Sequence, residues 1–396
     1  MSEGRLDQLS HAMKKIETEN QTAANVLVVY QHLPHYRYGV FKHLDHHSAL
    51  EVTFIADVAS RDGSIPAIPA CNFKRFKAVR NIWRGQALWQ SGLLRMLMTK
   101  QYQIVIFLGD AAYLTTWLGA MLARLTRRRV YFWTIGWHRP EGGLKRCVRL
   151  LFYRIAHRLL LYSQENARIG IEAGYPANRI SVIGNSYESH LTSAEAEQDD
   201  ADLRKILPAR DETVISAVIR VDDQRRFDIL LRAIEILASK GRDVVFVLVG
   251  EGQARPKIEH EAAIRNVDLR TLGATYSRYV LEQVYSRTTL TVIPAKAGLT
   301  TIQSLSYGVP VITSDAIQNQ GPETAAILPG VTGDFFADGS AEDLAVVIER
   351  WLPRLERGRS DIASRCRAEI EDNWSSSAHA RRIVEAVLGD VETKLG

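Results

Sequence analysis

Eleven short runs of β-branched, aliphatic and aromatic residues punctuate this sequence, with helix-length stretches between most of them. The first half holds NVLVVYQ (25–31), LEVTFIAD (50–57), QIVIFLGD (103–110), RVYFWTIG (129–136), RLLLYS (158–163) and ISVIGN (180–185). The series restarts with TVISAVIR (213–220), DVVFVLVG (243–250), LRTLGA (269–274), LTVIPA (290–295) and VPVITSD (309–315). Most of these runs lack polar alternation, as strands covered on both faces do. Alternating strand and helix then predicts parallel sheets wound on both sides, and the restart predicts two of them.

The 396 residues exceed what one hydrophobic core usually serves, which supports the same division. The reading is an α/β chain of two Rossmann-like doubly wound domains facing a central cleft. Its parts are an N-terminal extension (1–24), a first domain (25–190), a polar, acidic linker (191–212), a second domain (213–375), and a C-terminal helix (376–396) expected to pack back on the first domain. Ligands of such sheets bind at the carboxyl ends of the strands, so chemistry is expected in the cleft.

Three cysteines without C-x-x-C spacing argue against a zinc ribbon or a disulfide framework. Residues 1–24 contain no apolar core of a signal peptide, and the run Ala111 to Leu125 is too short to span a bilayer and is interrupted by Arg124. The expected location is the cytoplasm, including the inner face of the membrane. Charge is divided unevenly: 25 Lys and Arg against 13 Asp and Glu up to residue 190, and 25 against 32 after it. The basic half concentrates its arginines among Leu, Phe, Tyr and Trp in RLTRRRVYFW (124–133) and KRCVRLLFYRIAHRLLL (145–161), which suits an anionic surface. No recognition motif for nucleic acid accompanies them.

Candidate site residues follow the strand ends. Arg220 and Arg225 leave the strand and loop of VISAVIRVDDQRRFDILLRAIEIL (214–237), and the planar arginine fork matches phosphate oxygens. Gly250 and Gly252 form a turn after a buried strand, a feature that carries no weight alone. In PAKAGLTTIQSLSYGVPVITSD (294–315), Gly298, Leu299 and Thr300 open a short helix whose amides face an anion, with Lys296 and Thr301 beside them. In the first half, Gly39 with His35 and Arg37 follows one strand, and His138 with Arg139 and Glu141 follows another. The His43, His46, His47 cluster reads as an exposed helix end rather than a metal site, and the Asp200 to Asp202 run falls in the linker.

Together and in this order, these segments resemble retaining glycosyltransferase family 4, the glycosyl transferases group 1, built on the GT-B fold. VIRVDDQRRFDILLRAI is similar to V-G-R-L-x-x-x-K-G-x-D-x-L-L-x-A, and PAKAGLTTIQSLSYGVPVITSD to P-S-x-x-E-G-F-G-L-x-x-x-E-A-M-A-x-G-x-P-V-I. The resemblance implies transfer of a hexose-type sugar from a UDP or GDP donor with retention. The acceptor would be a glycan or lipid-linked glycan in surface polysaccharide synthesis, and no metal or other cofactor is required. It implies catalytic roles for His138, Arg220 and Arg225. Donor contacts would come from Gly39, Gly250, Leu272, Gly273, Lys296, Gly298, Leu299, Thr300 and Gln303, with His35, Arg37 and Arg139 on the acceptor side. The chain departs from the pattern where its glutamates stand, at Ala295 and Gln303, and at two glycines, now Ile219 and Arg226. These departures keep two other expectations open: a catalytically silent nucleotide- or glycan-binding partner protein, and a sugar-nucleotide epimerase or hydrolase.

Overall fold

The computed structural model describes residues 23–188 apart from 62, 64 and 100, residues 203 and 206–209, and residues 211–392. Nearly all of the expected N-terminal extension, most of the expected linker and the Asp200 to Asp202 run lie outside the described residues.

The first half forms β1 (Ala24–His32), β2 (Leu50–Asp57), β3 (Phe76–Ala78), the hairpin of β4 (Arg80–Arg84) and β5 (Ala87–Ser91), β6 (Ile104–Leu108), β7 (Arg129–Thr134), β8 (Arg158–Leu161) and β9 (Ile180–Val182). Its main sheet runs β3-β2-β1-β6-β7-β8-β9, all parallel. The second half forms β10 (Val214–Val218), β11 (Val245–Val249), β12 (Asp268–Leu272), β13 (Leu290–Ile293), β14 (Val311–Ser314) and β15 (Gly333–Phe336). They pair in the order β12-β11-β10-β13-β14-β15, again all parallel.

The apolar runs explain both sheets. In β1, Val26, Val28 and Tyr30 enter one core while Leu27 and Val29 enter the core on the other face. In β10, Ile215 and Ala217 divide from Val214 and Val218 in the same way. Each fully buried aliphatic side chain contributes about 1.5–3 kcal/mol, so a central strand is stabilised from both sides. The strand order reverses at β1 in one sheet and at β10 in the other, and the crevice outside such a reversal is the ligand position of doubly wound sheets. It places the ends of β10 and β13 side by side on the rear wall, and those of β1 and β6 on the front wall.

The chain returns to its first domain at the end. The helix Ser376–Glu392 adds Ala380, Ile383, Val384 and Val387 to the core that contains Val40 and Phe41. Two polar contacts fix it: the Tyr131 hydroxyl donates to the Val387 carbonyl at 3.3 Å, and His379 Nδ1 lies 2.9 Å from Ser186 Oγ.

One local feature runs against backbone preference. Arg226, immediately before the helix Phe227–Ser239, holds φ 54° and ψ 42°, a left-handed conformation that costs a non-glycine residue about 1–2 kcal/mol. Its pair with Asp228 at 3.1 Å has both side chains about half exposed and offsets little of that. Arg226→Gly is therefore expected to raise the thermal midpoint by about 2–4 °C. A lower midpoint in a melting experiment would contradict this account.

Candidate active site

The rear wall begins where β10 ends. Arg220 is exposed and makes neither an ion pair nor a hydrogen bond among the described residues. Its loop is seated on the turn after β11: Ile219 N–H donates to Val249 O at 2.9 Å and Val221 N–H to Glu251 O at 3.0 Å. That seat requires glycine. At Gly250, φ is 145° and a Cβ would stand 2.0 Å from the Ile219 carbonyl oxygen; at Gly252 it would stand 1.8 Å from that of Val221. The G-x-G turn thus positions the Arg220 loop through backbone approach. Leu272 accepts the Gly250 amide at 2.9 Å, and Gly273 follows it beside Glu251.

Arg225 closes the short turn Asp223–Arg225 and reaches across to the β13 loop, where its guanidinium donates to the Lys296 carbonyl. Its buried Nε lies 3.7 Å from Asp222 Oδ2, an ion pair beyond hydrogen-bond distance. Burial pulls the Arg225 guanidinium below its ordinary pKa; Asp222 opposes the shift and Arg220 adds to it. Arg220 and Arg225 stand close enough to disfavour each other's charge, and an anion beside them relieves that repulsion. Lys296 adopts φ 54°, and its amine bonds the Gln224 side chain. The helix Leu299–Ser306 starts at Gly298 without a side-chain cap, so its first amides have no acceptor within the helix. Thr300 is tied down, its hydroxyl donating to Val218 O at 2.8 Å, and Thr301 is fully buried. Gln303 is 6% exposed; it accepts from the Tyr285 hydroxyl at 3.4 Å through its carbonyl, while its amide nitrogen makes no hydrogen bond among the described residues. Ala295 is half-buried.

On the front wall His138 is exposed in the loop after β7. It lines two cavities, one shared with Asp110, Arg149 and Tyr162, the other with Asn166 and with Gln320 and Gly321 of the rear domain. Arg149 clamps this loop, bonding both Glu141 oxygens at 2.6 and 2.8 Å and Gly136 O at 3.0 Å. Partial desolvation in the loop, then the charges of Arg149 and Arg139, hold the His138 pKa below its ordinary value, which favours the neutral imidazole that both donates and accepts. Arg139 is exposed beside it.

Three front-domain candidates lie deeper than the sequence suggested. Arg37 is 6% exposed, donates to the Tyr162 hydroxyl at 2.6 Å and lies over the Trp133 ring at 5.0 Å. His35 is buried, with its ring centroid 4.7 Å from that of Tyr276 across the cleft. Gly39 faces its own chain, since a Cβ there would meet Glu188 Oε2 at 2.0 Å and Ser376 Oγ at 2.3 Å. The structure thus gathers Arg220, Arg225, Lys296 and Gly298 on one wall with His138 opposite, and keeps Arg37 and Gly39 inside the front domain. Two buried polar residues at the cleft were not singled out from sequence, Asn185 and Glu323. The signal for the latter was Gly321-Pro322-Glu323 following a strand, a turn that commits a carboxylate close to the strand ends. Among the described residues no group of three or more His, Cys, Asp or Glu could hold a metal ion.

Residues 212–353 match the model of the family described as Glycosyl transferases group 1. The alpha-D-kanosaminyltransferase of Streptomyces kanamyceticus is 23% identical over 212 residues, which are 52% of this chain and 54% of that protein; the chain spans about half the length of this curated relative. Among solved structures, Anabaena Alr3699/HepE in complex with UDP superposes with a TM-score of 0.70 at 16% identity, covering 92% of this chain and 99% of that one. The apo form of the lipopolysaccharide outer core galactosyltransferase WaaB gives 0.66 at 15% identity, with 92% and 99% covered. The rear domain is therefore similar to the Glycosyl transferases group 1 family over residues 212–353, and the chain as a whole has the GT-B fold.

Proposed function

We propose that this chain is a retaining family 4 glycosyltransferase that moves a hexose-type sugar from a UDP or GDP donor to a glycan or lipid-linked glycan acceptor in surface polysaccharide synthesis. The observation that carries the reading is Arg220, unpaired among the described residues, beside Arg225 and the uncapped helix start at Gly298, all at the strand-order reversal and opposite His138. Departure of a nucleoside diphosphate concentrates negative charge where those groups converge, and preorganised donors there lower the barrier most. His138 is placed to hydrogen-bond the sugar from the other wall. The bound UDP of the HepE structure and the activity named for the kanosaminyltransferase support a nucleotide-sugar donor here.

Ala295 and Gln303 favour a second reading, a silent nucleotide-binding partner protein. Calorimetry with UDP and GDP, followed by donor turnover with and without acceptor, separates the cases. Binding with acceptor-dependent turnover is the expected result; binding without turnover gives the silent protein, and acceptor-independent turnover gives the hydrolase or epimerase. Gln303→Glu reports on the ribose end. A carboxylate accepting from a sugar hydroxyl contributes about 1 kcal/mol more than an amide, so donor affinity should rise roughly five- to tenfold. Unchanged affinity would remove Gln303 from the donor site.

The front domain supports an anionic membrane as partner. The helices Leu114–Leu125 and Gly143–Ile155 pack together and expose Leu118, Met121, Leu125, Leu144, Val148 and Leu151 beside Arg124, Lys145 and Arg146. No helix among the described residues is long and apolar enough to cross a membrane. A surface that mixes apolar and basic side chains lies on a leaflet, each basic residue contributing about 1 kcal/mol. The chain should co-sediment with phosphatidylglycerol vesicles at low salt and be released at high salt. Leu144→Glu with Leu151→Glu should abolish this, and equal sedimentation with neutral vesicles would count against the surface.

A further inference from the structure

The two walls of the cleft join at a buried hydrogen bond whose partners have no role in the reading above. Asn185, just beyond β9 in the front domain, is 3% exposed, and Glu323, in the rear turn Pro322–Ala326, is 5% exposed. Asn185 Nδ2 donates to Glu323 Oε1 at 2.5 Å. The other carboxylate oxygen abuts the donor-side turn, where a Cβ on Gly321 would come within 2.5 Å of it and one on Gly298 within 3.6 Å. The preceding residues grip that turn: Gly321 N–H donates to Ala297 O at 2.6 Å, and Ala297 N–H to Gln320 Oε1 at 2.7 Å. Gln320 is itself held by Ser314, its amide donating to Ser314 Oγ at 2.9 Å.

Residues 320–323 are therefore a splint. One end fixes Ala297 and Gly298, where the phosphate-facing helix starts, and the other is fastened to the front domain. The same segment lines the cavity shared with His138. Burial raises the Glu323 carboxyl above its ordinary pKa, opposed by its own backbone N–H, Asn185 and the nearby Arg37. A carboxylate this buried is costly unless its partners hold it in one geometry.

We infer that Asn185 and Glu323 are the positioning pair of the transferase. Their hydrogen bond sets the register between the diphosphate cradle at Gly298 and the wall that carries His138. Both act through their neighbours rather than on the substrate in this inference, which rests on the transferase reading. The reaction needs a leaving group held on one domain and a sugar met from the other, and a misplacement of about 1 Å costs roughly a hundredfold in rate.

The test is an exchange of the pair. Asn185→Asp sets two carboxyls against each other, Glu323→Gln keeps an acceptor for Asn185, and the double variant rebuilds the bond with its polarity reversed. Asn185→Asp should lower kcat by roughly thirty- to a hundredfold, the loss deepening as pH rises and the two carboxyls cease to share a proton. UDP affinity measured by calorimetry should stay within about twofold, because the nucleotide's own contacts remain. The double variant should return kcat to near that of Glu323→Gln. A purely structural role would lower the thermal midpoint without this division between kcat and affinity, so it overturns the inference. Loss of UDP affinity in parallel with kcat, or a double variant as slow as Asn185→Asp, also overturns it. Should Asn185→Asp fail to fold, Asn185→Ala replaces it and is read by the division between kcat and UDP affinity alone, since alanine offers residue 323 no partner to restore. Small-angle scattering of the ligand-free chain judges the pair even if the unaltered protein turns over no donor. Asn185→Asp should enlarge the radius of gyration and the double variant should reverse it, whereas identical profiles refute the pair; absence of turnover in the unaltered protein refutes the transferase reading instead.

Discussion

Arg220→Ala is expected to lower donor kcat/KM by two to three orders of magnitude while leaving the fold intact. The side chain is exposed and has no partner among the described residues, so its removal opens no cavity and orphans no buried group. Surface changes of that kind alter stability by no more than about 0.5 kcal/mol. On the proposed transferase reading the lost contact is a bidentate, charge-assisted one to a departing diphosphate, and removal of one preorganised donor at developing charge costs about 2.7–4 kcal/mol. Arg220→Lys should recover part of the loss, since the charge remains but the planar fork does not. Kinetics beside thermal melting decide the matter. Unchanged kcat/KM, or loss matched by a lower midpoint, removes Arg220 from the site. Arg225 gives no such clean result, because its guanidinium also ties the β10 loop to Lys296 O.

Gly250→Ala should damage stability and binding together. The new methyl group would stand 2.0 Å from the Ile219 carbonyl oxygen, on a residue whose φ of 145° disfavours any side chain. Overpacking against backbone costs about 1–3 kcal/mol and the strained conformation about as much again. A fall of roughly 10 °C in the midpoint of the rear-domain transition follows. The displaced carbonyl immediately precedes Arg220, so UDP affinity should drop although every phosphate-facing side chain is chemically unchanged. A variant that melts and binds like the parent would show that the turn after β11 does not seat the Arg220 loop.

These two residues mark how the sequence could and could not be read. Strands such as β1, β6 and β10 were legible because both of their faces are apolar, and that pattern survives without knowledge of neighbours. The strands β3 to β5 and β15 were not, being three to five residues long and, apart from Leu88, Gln90, Gly333 and Phe336, at least partly exposed. Arg220 was visible as a cation at a strand end. Gly250 was seen but given no weight, since only the approach of a second loop gives a G-x-G turn its meaning. Arg37 was assigned to the cleft because its loop follows β1; what buries it is Trp133 and Tyr162, separated from it by about a hundred positions in the sequence. Glu323 escaped notice because its importance lies in Asn185, a partner 138 positions away on the other domain.

The helix Ser376–Glu392 has a consequence for the order of events in the cell. Val40 and Val387 share one core, so the front domain emerges from the ribosome before the rear one and is completed after it. Until Ile383, Val384 and Val387 are synthesised, the front sheet shows water the apolar face they later cover, and the rear domain can finish folding before the front one does. Synthesis interrupted anywhere in the rear half would therefore release a front domain with an open, adhesive flank, and that species is the one for chaperones to hold.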